Sequence, residues 1–113
     1  MANESTPPLA HRHCTPCAPG TPPVDAARAA AYLKELPGWQ STGKEISKTY
    51  QFQNYHETMA FVNATAWVSH REDHHPDLEV GYNRCRVRYS THSVGGLSDN
   101  DFICAAKLEA LFA

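Results

Sequence analysis

The sequence predicts an α+β fold: a four-stranded antiparallel sheet with three helices packed on one face, in the order α-β-β-α-β-β-α. Three observations predict it. Ile46, Tyr50 and Phe52 alternate with polar residues, and so do Cys85, Val87 and Tyr89, the period of half-buried strands. Between them, Met59, Val62 and Ala66 recur at helical spacing. The strand-like runs come as adjacent pairs separated by helices, which calls for antiparallel neighbours.

Residues 1–23 hold six of the eight prolines and almost no large apolar side chain. Such a segment buries too little surface to offset its ordering entropy, so it reads as a flexible N-terminal arm, with the folded domain at 24–113. Asp25 caps a first helix that runs to about Glu35, with Ala29, Tyr32, Leu33 and Leu36 on its buried face and Pro37-Gly38 ending it. Trp39 to Thr42 makes a short strand, Gly43-Lys44 a turn, and Ile46 to Phe52 a second strand, in which Lys48 breaks the alternation.

Asn54 with Glu57 resembles a capping box. It opens a longer helix with Tyr55, Met59, Val62 and Ala66 as its apolar stripe, widened by Phe61, Thr65 and Val68. Pro76 disfavours the helical conformation at His75, so that helix ends at or before the histidine pair. Leu78, Val80 and Tyr82 alternate as a third strand. Cys85, Val87 and Tyr89 make a fourth, with Arg86, Arg88, Ser90 and His92 on its other face. After the Gly95-Gly96 break, Ser98 caps a last helix with Asp101 at its third position. Phe102, Ala105, Leu108 and Leu111 or Phe112 form its buried stripe.

Composition narrows the function. A chain of 113 residues with 42% hydrophobic content suits one small core. A net charge of -2 gives no reason to expect nucleic acid, and no apolar run approaches the ~20 residues that span a bilayer. The expectation is a cytoplasmic protein without a direct nucleic-acid or membrane partner. Cys14 and Cys17 form a CxxC beside His11 and His13, a set that suits zinc or redox chemistry. No second pair follows at finger spacing, and a lightly tethered arm is the favoured reading. Cys85 and Cys104 fall in apolar rhythm as reduced core thiols.

The chemistry concentrates in His74-His75-Pro76 and Thr91-His92. Imidazoles give and take protons near neutral pH, so three of them from neighbouring elements suit acid/base catalysis without a cofactor. Strand ends and loops are where such sites are built. A metal site of His70, His74 and His92 around Glu72 is an alternative if the helix persists through Asp73, and a surface cluster without function is another. Asp101 could orient a histidine or bind substrate, but helix capping explains it more simply. Arg86 and Arg88 could attract an anion, although solvated strand-face arginines are commoner. Asn63-Ala64-Thr65 matches a glycosylation triplet but falls inside a helix.

The run Asp73-His74-His75-Pro76, then Tyr82-Asn83, Ser90-Thr91-His92 and Gly96-Leu97-Ser98 with Asp101 resembles the pterin-4a-carbinolamine dehydratase family. The resemblance extends to Leu36-Pro37-Gly38-Trp39. It also takes in the bacterial-type Cys14-Thr15-Pro16-Cys17 and Pro22-Pro23, covering about residues 14–112. It implies the same fold, and dehydration of a 4a-hydroxytetrahydropterin to quinonoid dihydropterin with no cofactor and no metal. It further implies His74 and His92 as the acid/base pair and His75 as the residue that holds the pterin. Asp73, Pro76, Ser90, Thr91, Ser93 and Asp101 would line the pocket. A homodimer or homotetramer serving an aromatic amino acid hydroxylase is the implied setting. A non-catalytic dimerising or transcriptional partner on the same fold is the alternative. The sequence departs from the family pattern at His70, where a glutamate often stands, and at Asn100 and Cys85.

Overall fold

A computed structural model describes residues 8–112 of the chain. Asp25 accepts the Arg28 N–H at 2.8 Å and starts α1 (Ala26–Leu33), two residues shorter than the sequence suggests. Leu36 and Trp39 then turn into the core. The first strand shrinks to β1 (Gln40–Ser41), paired with β2 (Ile46–Gln51). After α2 (Tyr55–Glu72), β3 (Asp77–Val80) and β4 (Arg84–Tyr89) form a second hairpin, and α3 (Asp99–Ala110) closes the chain. The sheet is antiparallel throughout, in the order β1-β2-β4-β3, so α2 links two hairpins whose inner strands pair with each other.

One sheet face carries Ile46, Tyr50, Cys85, Val87 and Tyr89, all buried against the helices. The other carries Ser47, Thr49, Arg86 and Arg88, with Asp77 and Glu79 opposite the two arginines. Lys48 belongs by parity to the core face. Its long stem crosses the face to bring Nζ to the Glu109 carboxylate at 2.7 Å and the Pro37 carbonyl at 3.0 Å. Trp39 Nε1 and the Tyr50 hydroxyl donate to the same carboxylate. Burial works to raise the Glu109 carboxyl, and these donors outweigh it and hold it below the usual range.

Three expectations shift. The buried face of α2 is Thr58, Phe61, Thr65, Val68 and Glu72, while Tyr55 and Ala66 face outward. The third strand stops at Val80, and Tyr82 is exposed, stacked on Tyr55. Leu111 and Phe112 fall beyond α3 and are exposed, and burial continues instead through Ile103, Cys104 and Ala106.

Residues 8–17 pack against α2 and α3, a packing that the expectation of a flexible arm did not foresee. Leu9, in a 3-10 turn at Leu9–His11, is 1% exposed and belongs to the core. The Cys14 N–H donates to Glu72 Oε1 at 2.8 Å, and Thr15 exchanges two hydrogen bonds with the Asn100 side chain. Prolines restrict the unfolded alternatives of such a strap, so one apolar anchor and a few well-placed polar partners hold it. The segment before Pro8 lies outside the described residues.

Candidate active site

The site forms where α2 ends, β4 ends and α3 begins. Asp73 takes a left-handed conformation (φ 52°), and Asp73 and His74 both donate their backbone N–H to the Ser69 carbonyl. This sharp stop, followed by Pro76, takes the histidine pair off the helix. His70 stays exposed on α2 and shares no helix face with His74. Glu72 points away to the strap, where it meets the Cys14 N–H and His13. The His-x-Glu-x-His metal reading therefore fails on geometry. Among the described residues, no group of three or more His, Cys, Asp or Glu side chains converges as a metal-ligand set.

His74 turns inward instead. Its Nε2 lies 2.6 Å from Oδ1 of Asp101, which is fully buried. The other carboxylate oxygen, Oδ2, accepts the Ser98 N–H and the Thr91 hydroxyl, both at 2.9 Å. The Ser98 hydroxyl supports Thr91 at 2.7 Å. Asp101 therefore does both things the sequence left open: one oxygen caps α3 and the other holds a histidine. Since the carboxylate accepts, Nε2 carries the hydrogen in this contact. The Tyr89 ring stacks on the imidazole at 11° and 5.8 Å between centroids. Burial keeps the Tyr89 phenol well above its usual value, and among the described residues its hydroxyl has no hydrogen-bond partner, so a neutral ring backs the imidazole.

His92 comes from the other side. Thr91 pairs with Gly96 in an isolated bridge, closing a loop whose 3-10 turn, His92–Val94, is ended by Gly95 in a left-handed conformation (φ 71°). His74, His75, Asp77, Arg88, Ser90, Thr91 and His92 line one hollow of about 190 Å³. A second hollow of about 270 Å³ shares Ser90, Thr91 and His92 and adds Lys44, Glu45, Gly95 and Gly96. The two hollows adjoin at Ser90, Thr91 and His92. His75 and His92 are exposed at the rim, whereas the His74 side chain is only 13% exposed and shows the cleft little more than an edge.

Of the residues singled out in the sequence, His74, His75, Ser90, Thr91 and His92 line the cleft. Asp101 stands behind His74 rather than on the cleft surface. Asp73, Pro76 and Ser93 lie close in sequence but do not line either hollow. Sequence reasoning missed Lys44, Glu45 and Asp77, and treated Arg88 as solvated. Arg88 lies near Glu79 (3.2 Å) and Glu45 (3.8 Å), and among the described residues its Nε makes no aligned hydrogen bond. The period-two run Arg88, Ser90, His92 was the signal that placed it beside the site.

The arrangement sets a largely buried imidazole and an exposed one beside a polar cleft. One is held by a buried carboxylate, and the other stands open to water. Comparison with known proteins gives this arrangement a family. Residues 22–111 match the family described as Pterin 4 alpha carbinolamine dehydratase. A relative from Dechloromonas aromatica that carries the family's name is 62% identical over 91% of this chain and 92% of its own length. Another, from Nitrosomonas eutropha, is 61% identical over 91% and 92%. The crystal structure of a transcriptional coactivator/pterin dehydratase from Brucella melitensis superposes with a TM-score of 0.75 at 27% identity. The superposition spans 80% of this chain and 99% of that one. A pterin dehydratase-like RuBisCO assembly factor of the alpha-carboxysome shares the fold, with a TM-score of 0.54 at 23% identity over 65% and 84% of the two chains. The chain belongs to the pterin-4-alpha-carbinolamine dehydratase family.

Proposed function

We propose that this protein removes water from a 4a-hydroxytetrahydropterin to give the quinonoid dihydropterin, recycling the cofactor of an aromatic amino acid hydroxylase in the cytoplasm. The reaction breaks the C4a–O bond as the N5 lone pair forms a C4a–N5 double bond. A proton goes to the departing hydroxyl and another leaves N5. No electrons change hands between molecules, so two proton-transfer groups suffice.

The observation that carries this reading is that His74, held from behind by Asp101, lines the same hollow as His92. His74, with Nε2 tied to Asp101, presents Nδ1 as the base for the N5 proton. The buried carboxylate then faces the positive charge that the ring acquires. His92, at the solvent rim, protonates the leaving hydroxyl and is recharged from water. His75 at the mouth holds the pterin, and Ser90 and Thr91 fill the wall between the two histidines.

Spectrophotometric dehydration of the 4a-hydroxytetrahydropterin tests it. The expected result is acceleration by the wild type and a loss of ~100-fold or more in kcat for His74→Ala and for His92→Ala, with folding retained. Unchanged turnover in both variants excludes the mechanism. The Brucella relative, named a coactivator as well as a dehydratase, motivates a second reading: a non-catalytic dimerising partner. That reading predicts no acceleration by the wild type. For either role we expect a homodimer or homotetramer, with exposed Trp67, Leu111 and Phe112 as apolar surface for assembly. Sedimentation at micromolar concentration would measure it.

A further inference from the structure

Cys14 Sγ and Cys104 Sγ lie 3.5 Å apart, although 90 residues separate them in the chain. Cys14 belongs to the strap and Cys104 to the buried face of α3. Hydrogen bonds on both sides fix the strap at this point: Cys14 N–H to Glu72, and Thr15 to Asn100 in both directions. Two thiols held in contact by independent anchors need only a small approach to reach the bonding distance of ~2.05 Å. The third thiol, Cys17, is partly exposed and opens onto a cleft of about 600 Å³ that is also lined by Pro22, Asp25, Arg28 and Asn100. The CxxC therefore has one thiol open to reagents and one against a buried partner.

We propose that Cys17, Cys14 and Cys104 form a thiol relay through which a low-molecular-weight disulfide links the strap covalently to α3. The Cys17 thiolate attacks one sulfur of the incoming disulfide, whose S–S bond breaks and releases one thiolate. Cys14 then attacks the Cys17 sulfur and displaces the second. Cys104 attacks Cys14, giving the Cys14–Cys104 disulfide and returning Cys17 as a thiol. In sum, two protein thiols are oxidised and one external disulfide is reduced to two thiols, with protons passing through solvent.

The order follows from the environments. Cys14 packs against Cys104 and the core, so an incoming disulfide does not meet it first; the same contact, then burial, raises its thiol and makes its later attack on the Cys17 sulfur the slow step. Cys14 and Cys17 are both half-buried, but Cys17 lines the 600 Å³ cleft, whereas Cys14 packs against the core and Cys104 is buried. The CxxC spacing carries the bridge inward, as in other dithiol motifs. The linkage also has a place to act. Cys104 Sγ is 4.0 Å from the His74 carbonyl, so the bond would tie the strap to the helix face behind the candidate site. This relay stands apart from the dehydratase reading, because the experiment reads disulfides rather than turnover.

The full chain is incubated with oxidised glutathione, quenched with iodoacetamide and mapped by mass spectrometry without reduction. The expected end product is a Cys14–Cys104 peptide pair with Cys17 and Cys85 alkylated, and Cys17→Ser slows its formation at least ~10-fold. The linked wild type melts ~5 °C or more above its reduced form, because the bond closes a long loop of the unfolded chain. A stable Cys14–Cys17 product overturns the proposal, and so does glutathione retained on Cys17 with Cys14 and Cys104 both alkylated. An unchanged melting temperature in the linked form overturns the strapping.

Discussion

Asp101 has no solvent to share its charge with, and three donors surround it: His74 Nε2, the Thr91 hydroxyl and the Ser98 N–H. Replacing it with asparagine keeps the shape but removes the charge and disturbs the tautomer of His74. Asp101→Asn is expected to lower kcat by ~100-fold while KM changes little, since Asp101 stands behind the ring rather than on the cleft surface. A loss in kcat for Thr91→Val of the same kind but about an order of magnitude smaller would support action through the carboxylate. A change confined to KM would argue that Asp101 positions substrate instead. The role of this aspartate was open in the sequence because Ser98-x-x-Asp101 spacing announces a cap and is silent about a second oxygen. Only the arrival of His74 from 27 residues upstream adds the histidine to it.

Elements differ in how openly the sequence shows them. β4 and α3 were legible because each is decided locally, one by strict alternation and the other by its cap and apolar stripe. α2 was legible in extent but not in phase. Thr58 and Thr65 take core positions there because their hydroxyls are satisfied inside: Thr58 reaches the Asn54 and Tyr82 carbonyls at 2.9 Å, and Thr65 the Val62 carbonyl at 2.7 Å. The stripe read from the sequence includes Thr65 but not Thr58 and Glu72, which complete the buried face. At the start of this helix, Asn54 accepts the Glu57 N–H at 2.8 Å, so Asn54→Ala is expected to cost about 1 kcal/mol in urea unfolding. Gly95 ends the His92 turn at φ 71° with open space around its Cα. Gly95→Ala meets no clash, only backbone strain, and should lose about 1 kcal/mol while lowering kcat/KM through the displaced His92.

The whole molecule is closed by the strap. Its proline content concealed this, because Leu9 is a single apolar residue in a polar stretch and its pocket is assembled from distant elements. Leu9→Ala is expected to destabilise the chain by about 2–4 kcal/mol, measured by denaturant unfolding, where a loose arm would show no change. Glu72 adds a pH dependence. Burial alone would raise its carboxyl, but the Cys14 N–H, His13 and Lys107 hold it below the usual range. A carboxylate lowered in the folded state contributes stability that is present above its unfolded pKa and disappears as pH falls through the folded value. Glu72→Gln should therefore be less stable at neutral pH and show a flatter acid limb in thermal melts between about pH 5 and pH 3.

The sharing of Asp101 between the first turn of α3 and the His74 ring has a consequence for heat inactivation. A helix usually frays from its ends before the body melts, and a site built elsewhere can survive that fraying. Here the first turn cannot open without releasing the imbalance of charge and orientation onto the imidazole. Loss of proton-transfer competence and loss of the α3 N-terminus should then share one midpoint on a temperature ramp, with no folded but disarmed state between them.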